Sequence, residues 1–366
     1  MPDLSSLNKS VYQWAGIDFG EYNALLLQKS LKKLTVESGI SNLRLWGKIL
    51  GTEKDYYIAE GQAEAPESGA EMPPEFELRG TGVNTYGYWV ANCPMGPWTA
   101  LEDLTPQDLG AARTIKTHFT GDLERDIITN PFYFRKEKHF LRAQIARITM
   151  TTTLVPAQIY RFQEDSTIEI EENTPAEEGP IPVPTTEEME KCQNWLHYTR
   201  NILKCNRITH MEPVPETEEQ DPEEMRKQME IDDPFEPRLK PITNDKSCKG
   251  NYPAWVVRAY GDKMNYAAAN PTVTKPENYR VVFVKSTIWP GAHSYFTQGT
   301  WGQVYVGNGL KHEDTLFYPI NPPQIQEDPD ERDTFKEPNP SQEVVDAMNA
   351  AKEAAELAAK EAEEAE

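Results

Sequence analysis

The chain has 366 residues, 38 % of them hydrophobic, with 29 prolines, a mean hydropathy of −0.68 and a formal net charge of −22. That length suits two or three domains, and so polar a composition implies a core-forming part beside tracts that do not pack. The acidic balance argues against nucleic-acid binding, which needs a dominant basic face, and with no run of about 18 apolar residues a transmembrane helix is not expected.

The start, MPDLSSLNKSVYQW, lacks the basic-then-apolar order of a secretory signal. Four scattered cysteines, Cys93, Cys192, Cys205 and Cys248, fit reduced thiols in the cytosol better than a disulfide framework. Residues 21–38 place Leu25, Leu26, Leu31 and Leu34 near helical spacing, with Gly39 as a stop. The stretch LRLWGKILGTEKDYYIAEG (43–61) reads as a hairpin, with Trp46 and the tyrosines as a packing or stacking surface. Its expected inner face is Leu45, Ile49 and one tyrosine, which leaves Trp46 for the 21–38 helix or a neighbouring subunit.

Residues 61–80 read as loop, and TYGYWVAN (85–92) as a strand. Thr105-Pro106 opens a helix, Thr as N-cap and Pro in the first turn, expected to reach about Phe119 and end at Gly121. Residues 139–152 form another, with Phe140 or Leu141, Ile145 and Ile148 on one face and Arg142 and Arg147 off it. KCQNWLHYTRNILK (191–204) reads as a helix with Trp195 on its buried side, between proline-rich acidic stretches at 164–190 and 211–240 taken as disordered. From Pro253 three strand-like runs follow: PAWVVRAYG, NYRVVFVKSTIWPGA and TWGQVYVGNG. Residues 319–340 are extended, and the Ala/Glu-rich end forms a marginal solvent helix or a disordered tail.

The fold class is therefore α+β. An N-terminal mixed region (1–160) and a β-rich region (253–320) flank acidic insertions with a helix (161–252), and a Pro-rich, acidic tail (321–366) follows. Charge is partitioned: residues 164–190, 212–236 and 327–366 carry −10, −9 and −10, which leaves the remainder at +7. Such tracts stay solvated and keep like-charged surfaces apart over a Debye length of about 8–10 Å, or bind basic partners.

No constellation points firmly to chemistry. Gly80-x-Gly82 hints at a phosphate loop but leads into a strand rather than a helix N-terminus. Cys192, His197, Cys205 and His210 are zinc-type ligands at a spacing that matches no common finger, and on one helix the two cysteines would face apart. His118, His139, His293 and His312 lie in separate contexts without a nucleophile elbow, and Glu60 and Glu102 have no evident partner. An enzyme is not expected; a soluble ligand-binding or metal-dependent enzyme is the alternative.

Several runs carry a resemblance. LRLWGKILGTEKDYYIAEG closely resembles the aromatic-Gly-Lys-Ile motif of the radial spoke head protein 4/6 family. GTGVNTYGYWVAN, ARTIKTHFTGDL, HFLRAQIARIT, NWLHYTRNIL, STIWPGA and QVYVGNG are similar to its later motifs, in family order from about residue 14 to 311. Departures are His139-Phe140 for the usual Asn-Tyr, NPFYFRKEK (130–138) for a Pro-Pro-Phe-Pro-Gly run, Asn308 for Trp and Leu310 for His. Many members also carry a long N-terminal extension.

The resemblance implies a non-catalytic structural subunit of the radial spoke head in the axoneme of motile cilia and flagella. That head passes mechanical cues between the central pair and the dynein arms. The implied partners are a second copy or homologue, other spoke-head and stalk subunits, and central-pair projections in transient contact, with no cofactor, nucleic acid or membrane. The structural or interface candidates are Trp46, Gly47, Tyr56, Tyr57, Arg142, Arg147, Trp195, Trp289 and Gly291.

Overall fold

A computed structural model describes residues 3–40, 42–63, 77–129, 132–162, 170–173, 183–199, 202, 239–245, 253–261, 280–312 and 345–354. The acidic stretch 211–236, the proline-rich stretch 319–340, and Cys205, His210 and Cys248 lie outside them. The chain divides into two units, Met1–Leu316 and Phe317–Glu366. In the second, the described residues form a helix over 345–354 with Met348 65 % exposed, in keeping with its narrow apolar face.

In the first unit, α1 (Leu4–Leu7), a π-helical turn (Asn8–Tyr12) and α2 (Gln13–Ala15) lead to α3 (Glu21–Ser38). The predicted helix and its glycine stop are both present: Gly39 takes the left-handed conformation at φ 73° and its N–H bonds back to Thr35. The strands β1 (Arg44–Ile49), β2 (Tyr56–Gln62), β3 (Tyr86–Ala91) and β4 (Thr99–Ala100) form an antiparallel meander. Helix α4 (Pro106–Thr114) is capped by the Thr105 hydroxyl, which accepts from the Asp108 N–H. It stops five residues short of the expected end at Phe119, because Ile115 is already extended and the β-branched Thr114, Ile115 and Thr117 favour that conformation.

Helix α5 (Glu137–Thr152) follows, then β5 (Leu154–Pro156), β6 (Tyr160–Phe162), β7 (Ile170–Glu172) and β8 (Trp195–His197). The helix expected at 191–204 is absent. Cys192–Asn194 is a 3-10 turn, and Trp195–His197 is a strand that pairs antiparallel with β5. Burial alternates there, with Trp195, His197 and Thr199 inward, so the period is two rather than 3.6. The argument against zinc drawn from that helix therefore lapses; among the described residues no three His, Cys, Asp or Glu side chains gather.

The last strands are β9 (Trp255–Tyr260), β10 (Val281–Ser286), β11 (Ala292–Thr297) and β12 (Thr300–Gly307). Strand β11 was not among the three runs read from sequence; His293, Ser294 and Thr297 dilute its apolar signal, yet it pairs on both sides. All eight long-sheet strands align as β4-β3-β2-β1-β12-β11-β10-β9, antiparallel except for β1 and β12, which run parallel. The N-terminal mixed region and the C-terminal β-rich region thus share one sheet.

Both faces of that sheet are covered. On one face, Trp46, Ile49, Tyr56, Ile58, Tyr88 and Val90 pack under α4 and α5. On the other, Leu45, Tyr57, Ala59, Phe283 and Tyr295 pack under Leu27, Leu31 and Leu34 of α3. Further along the first face, Val282, Val284 and Phe296 meet Trp195, Met189 and Trp255. Strict alternation along β2 and β10 divides the two sides, as a sheet buried on both faces requires.

Candidate functional site

The hairpin that dominates the sequence reading occupies the centre of the sheet, and a β-bulge sets its side chains. Leu45 opposes Ala59 and Gly47 opposes Ile58, so Trp46 is the extra residue. Trp46 and Gly47 therefore share a face, and Leu45 and Ile49 fall on opposite faces, contrary to the simple alternation expected. Trp46 lies under α5 rather than α3: its indole N–H donates to Thr149 Oγ1 at 2.9 Å and its ring stacks on Tyr305 at 5.2 Å. Gly47 is required by proximity, since a Cβ there would sit 2.1 Å from the Tyr305 carbonyl oxygen.

The turn of the hairpin clasps residues 119–121. Thr52 N–H donates to Phe119 O at 2.8 Å, and Glu53 and Lys54 N–H donate to Thr120 O at 3.1 and 3.0 Å. Asn92 Nδ2 bonds both Asp55 O and Gly121 O, which ties β3 into the same turn.

Beneath this clasp sits a carboxylate that sequence reasoning passed over. Glu137, 1 % exposed, opens α5. Its Oε1 accepts from Tyr56 OH at 2.8 Å, Thr120 N at 2.9 Å and Gly121 N at 3.2 Å. Its Oε2 accepts from Thr120 Oγ1 at 2.9 Å and Arg125 Nη1 at 3.2 Å. Burial, together with the neighbouring Glu137 charge, pushes the Tyr56 phenol well above its ordinary value, so it is a permanent donor. Phe119 and Phe140 stack at 4.9 Å alongside. A glutamate just before a helical run, downstream of Thr-Gly, was the available signal.

Of the other sequence-selected residues, Arg142, Arg147 and Trp289 lie on the same face. Arg142 and Arg147 were placed off the apolar face of α5 but are only 4 % and 8 % exposed, because the helix is packed on every side. Arg142 donates to Asn84 Oδ1 at 2.9 Å and Val83 O at 3.2 Å and lies over the Tyr88 ring, while desolvation holds its pKa below the usual guanidinium range. Arg147 donates to Ala112 O and Gln144 Oε1 and lies over Trp289, itself 1 % exposed. Gly291, at φ 102°, lets Val306 N–H reach its carbonyl at 2.9 Å. Tyr57 faces the α3 side beneath Lys48, and Trp195 lies in the third cluster, its indole bonded to Met189 O.

Glu60, Glu102, His139 and His197, all screened for chemistry, are held by structural partners. Glu60, expected to stand alone, is buried and paired with Arg44 at 2.6 Å; Glu102 meets Arg135 and His139 at 3.2 Å. The Gly80-x-Gly82 turn spends Val83 N–H on the Glu77 carboxylate at 3.0 Å. His197 Nε2 lies 2.6 Å from Asp245, whose Oδ2 also accepts from the Trp255 indole. Among the described residues, Phe132 (62 % exposed) and Phe134 (88 %) form an exposed aromatic pair at 4.8 Å, edge to face.

A family model described as radial spokehead-like protein matches residues 1–79 and 64–344. Radial spoke head protein 6 homolog A of Mus musculus is 30 % identical over 395 residues, which covers 93 % of this chain and 54 % of that protein. Radial spoke head protein 4 homolog A of Homo sapiens is 31 % identical over 397 residues, with 95 % and 53 % covered. Flagellar radial spoke protein 4 of Chlamydomonas reinhardtii is 28 % identical over 309 residues, with 79 % and 62 % covered. The chain spans about half the length of the mammalian relatives it matches.

Proposed function

The chain belongs to the radial spokehead-like protein family, and from that membership we propose that it is a structural subunit of the radial spoke head, resident in the axoneme of motile cilia or flagella. The observation that carries this reading is the family match along nearly the whole first unit. The structural reading is supported by the way the matched motifs pack together: hairpin, clasped turn and α5 meet at Glu137 and Trp46. The reading includes no catalysis and no cofactor, and it is supported by Glu60, Glu102, His139 and His197 each being engaged by a structural partner.

Trp46, Gly47, Tyr56, Tyr57, Arg142, Arg147, Trp195, Trp289 and Gly291 then act as the scaffold that holds contact surfaces in shape. Partners are a second copy or homologue, other spoke-head and stalk subunits, and the central-pair projections; nucleic acid and membrane are not among them. The test is fractionation of cilia from cells that express the tagged chain. It should remain with salt-washed axonemes and leave only when spoke heads are extracted. Recovery in the soluble pool would overturn the reading.

A further inference from the structure

The parallel junction at the centre of the sheet is short. β1 and β12 pair at only three positions, Gly47–Tyr305, Lys48–Val306 and Ile49–Gly307. Before these, β1 stays paired to β2 through Arg44 and Leu45, and β12 stays paired to β11 from Thr300 onward. Each strand therefore has one satisfied edge, and the two edges that face each other over 44–46 and 300–304 share no described backbone hydrogen bond. Pairing ends at the Trp46–Gly47 bulge, and a bulge bends and twists the strand that carries it.

A cavity lies on each side of this gap. One, of about 210 Å³, opens on the α5 face among Tyr88, Met150, Leu154, Thr199 and Trp301. The other, of about 290 Å³, opens on the α3 face among Leu7, Tyr12, Gln28, Leu31 and Tyr295. Arg44, Trp301, Gly302 and Gln303 line both, so the two cavities meet at the gap. Each wall holds a polar atom without a partner: Thr199 Oγ1, in a residue 7 % exposed, and Gln28 Oε1. Counted once over both cavities, the charged lining balances, Arg44 and Lys32 against Glu60 and Asp3, with Glu60 already bonded to Arg44.

We propose that this slot receives an extended segment of a second protein chain, inserted between β1 and β12, with large uncharged side chains that drop alternately into the two cavities. Successive side chains of a strand point to opposite faces about 3.3 Å apart, and a bare edge supplies main-chain affinity while flanking pockets supply specificity. A cavity of about 150 Å³ accommodates benzene, so both cavities admit a leucine or an aromatic ring. The balanced lining selects uncharged side chains, and a hydroxyl, amide or main-chain N–H of the entering segment supplies the donor that the Thr199 and Gln28 oxygens lack. The segment's source in a neighbouring subunit rests on the assembly role proposed above.

The test compares amide exchange in the isolated full-length chain and in axonemes that contain it. Within 44–46 and 301–304, the amides that face the gap, which alternate along each strand, should exchange rapidly in the free chain and at least tenfold more slowly in axonemes, while those bonded to β2 and β11 stay slow in both. Slow exchange of the gap-facing amides in the free chain, or their rapid exchange in both, would overturn the proposal. A second arm uses Thr199→Leu and, on the opposite face, Gln28→Leu, which remove the unpartnered atoms and fill the cavities. Both variants should keep the wild-type unfolding temperature and lose at least tenfold in axonemal incorporation against co-expressed wild type. Incorporation equal to wild type refutes the slot alone; failure of the wild type itself to enter axonemes refutes the assembly role and the second-chain occupant with it.

Discussion

Replacing Glu137 by glutamine keeps the size of the side chain and removes its charge, so it isolates what the buried carboxylate does. The amide oxygen can retain the three donors now on Oε1, Tyr56 OH, Thr120 N and Gly121 N. Each becomes a neutral hydrogen bond, and the difference between charged and neutral bonds is about 1 kcal/mol apiece. The new NH₂ can donate to Thr120 Oγ1 but opposes Arg125 Nη1, which accepts nothing. The expected loss is about 3–5 kcal/mol, a large part of the roughly 5–15 kcal/mol that holds a domain folded. Arg125→Gln should cost about 1 kcal/mol or less, since that side chain is 31 % exposed and the solvent already screens it. Urea unfolding of the three proteins at constant m-value reads these differences. A double-mutant cycle with Tyr56→Phe should show a coupling of about 1–2 kcal/mol. A Glu137→Gln protein within about 1 kcal/mol of wild type would refute the view that this carboxylate joins the hairpin, the clasped turn and α5.

Gly47→Ala places a Cβ against backbone atoms of Tyr305 on the neighbouring strand, 2.1 Å from O and 2.8 Å from N, which no rotamer relieves. It should cost more than about 4 kcal/mol, seen as loss of soluble folded protein or a collapsed melting temperature. Trp46→Ala should cost about 3–5 kcal/mol as a large-to-small core change; Trp46→Phe should cost clearly less, because it keeps the stack on Tyr305 and loses the bond to Thr149. His293 is held neutral by burial, its pKa lowered from 6.5 to about 4. The folded chain therefore binds fewer protons there than the unfolded chain. The stability from this neutral ring is full above pH 6.5 and is lost as pH falls towards 4. At about 1.4 kcal/mol per pH unit the loss reaches at most about 3 kcal/mol. His293→Asn should lose that much less between pH 7 and pH 4 in chemical unfolding, and parallel curves for the two proteins would refute the assignment.

Local signals were legible where one element decided its own shape. Helix α3 with its Gly39 stop, the Thr105-Pro106 start of α4 and the strands around Tyr56–Tyr57 and Tyr86–Ala91 follow from spacing, caps and β-branched or aromatic content. Segments whose shape depends on distant partners were not. Trp195–His197 has residues that suit either state, and its pairing with Leu154–Pro156 and the Met189 carbonyl that takes the indole N–H settle it as a strand. Arg142 and Arg147 looked like the solvent face of α5 because charge usually marks that face. Here carbonyl and amide oxygens from residues 83, 84 and 112 meet them, which permits burial.

The central site depended on a contact that sequence cannot weigh, the parallel junction between the first and last long strands of the sheet, more than 250 residues apart. The first reads as a hairpin member and the second as an isolated strand, and both belong to hairpins. What sets the site is that each turns its other edge to its counterpart, and that the bulge at Trp46 ends their pairing after three positions. The same bulge puts Trp46 on Tyr305 and Thr149 and requires a glycine at 47. A motif that resembled a ligand platform is thus the place where two halves of a sheet are joined, and the glycine and tryptophan within it serve that junction.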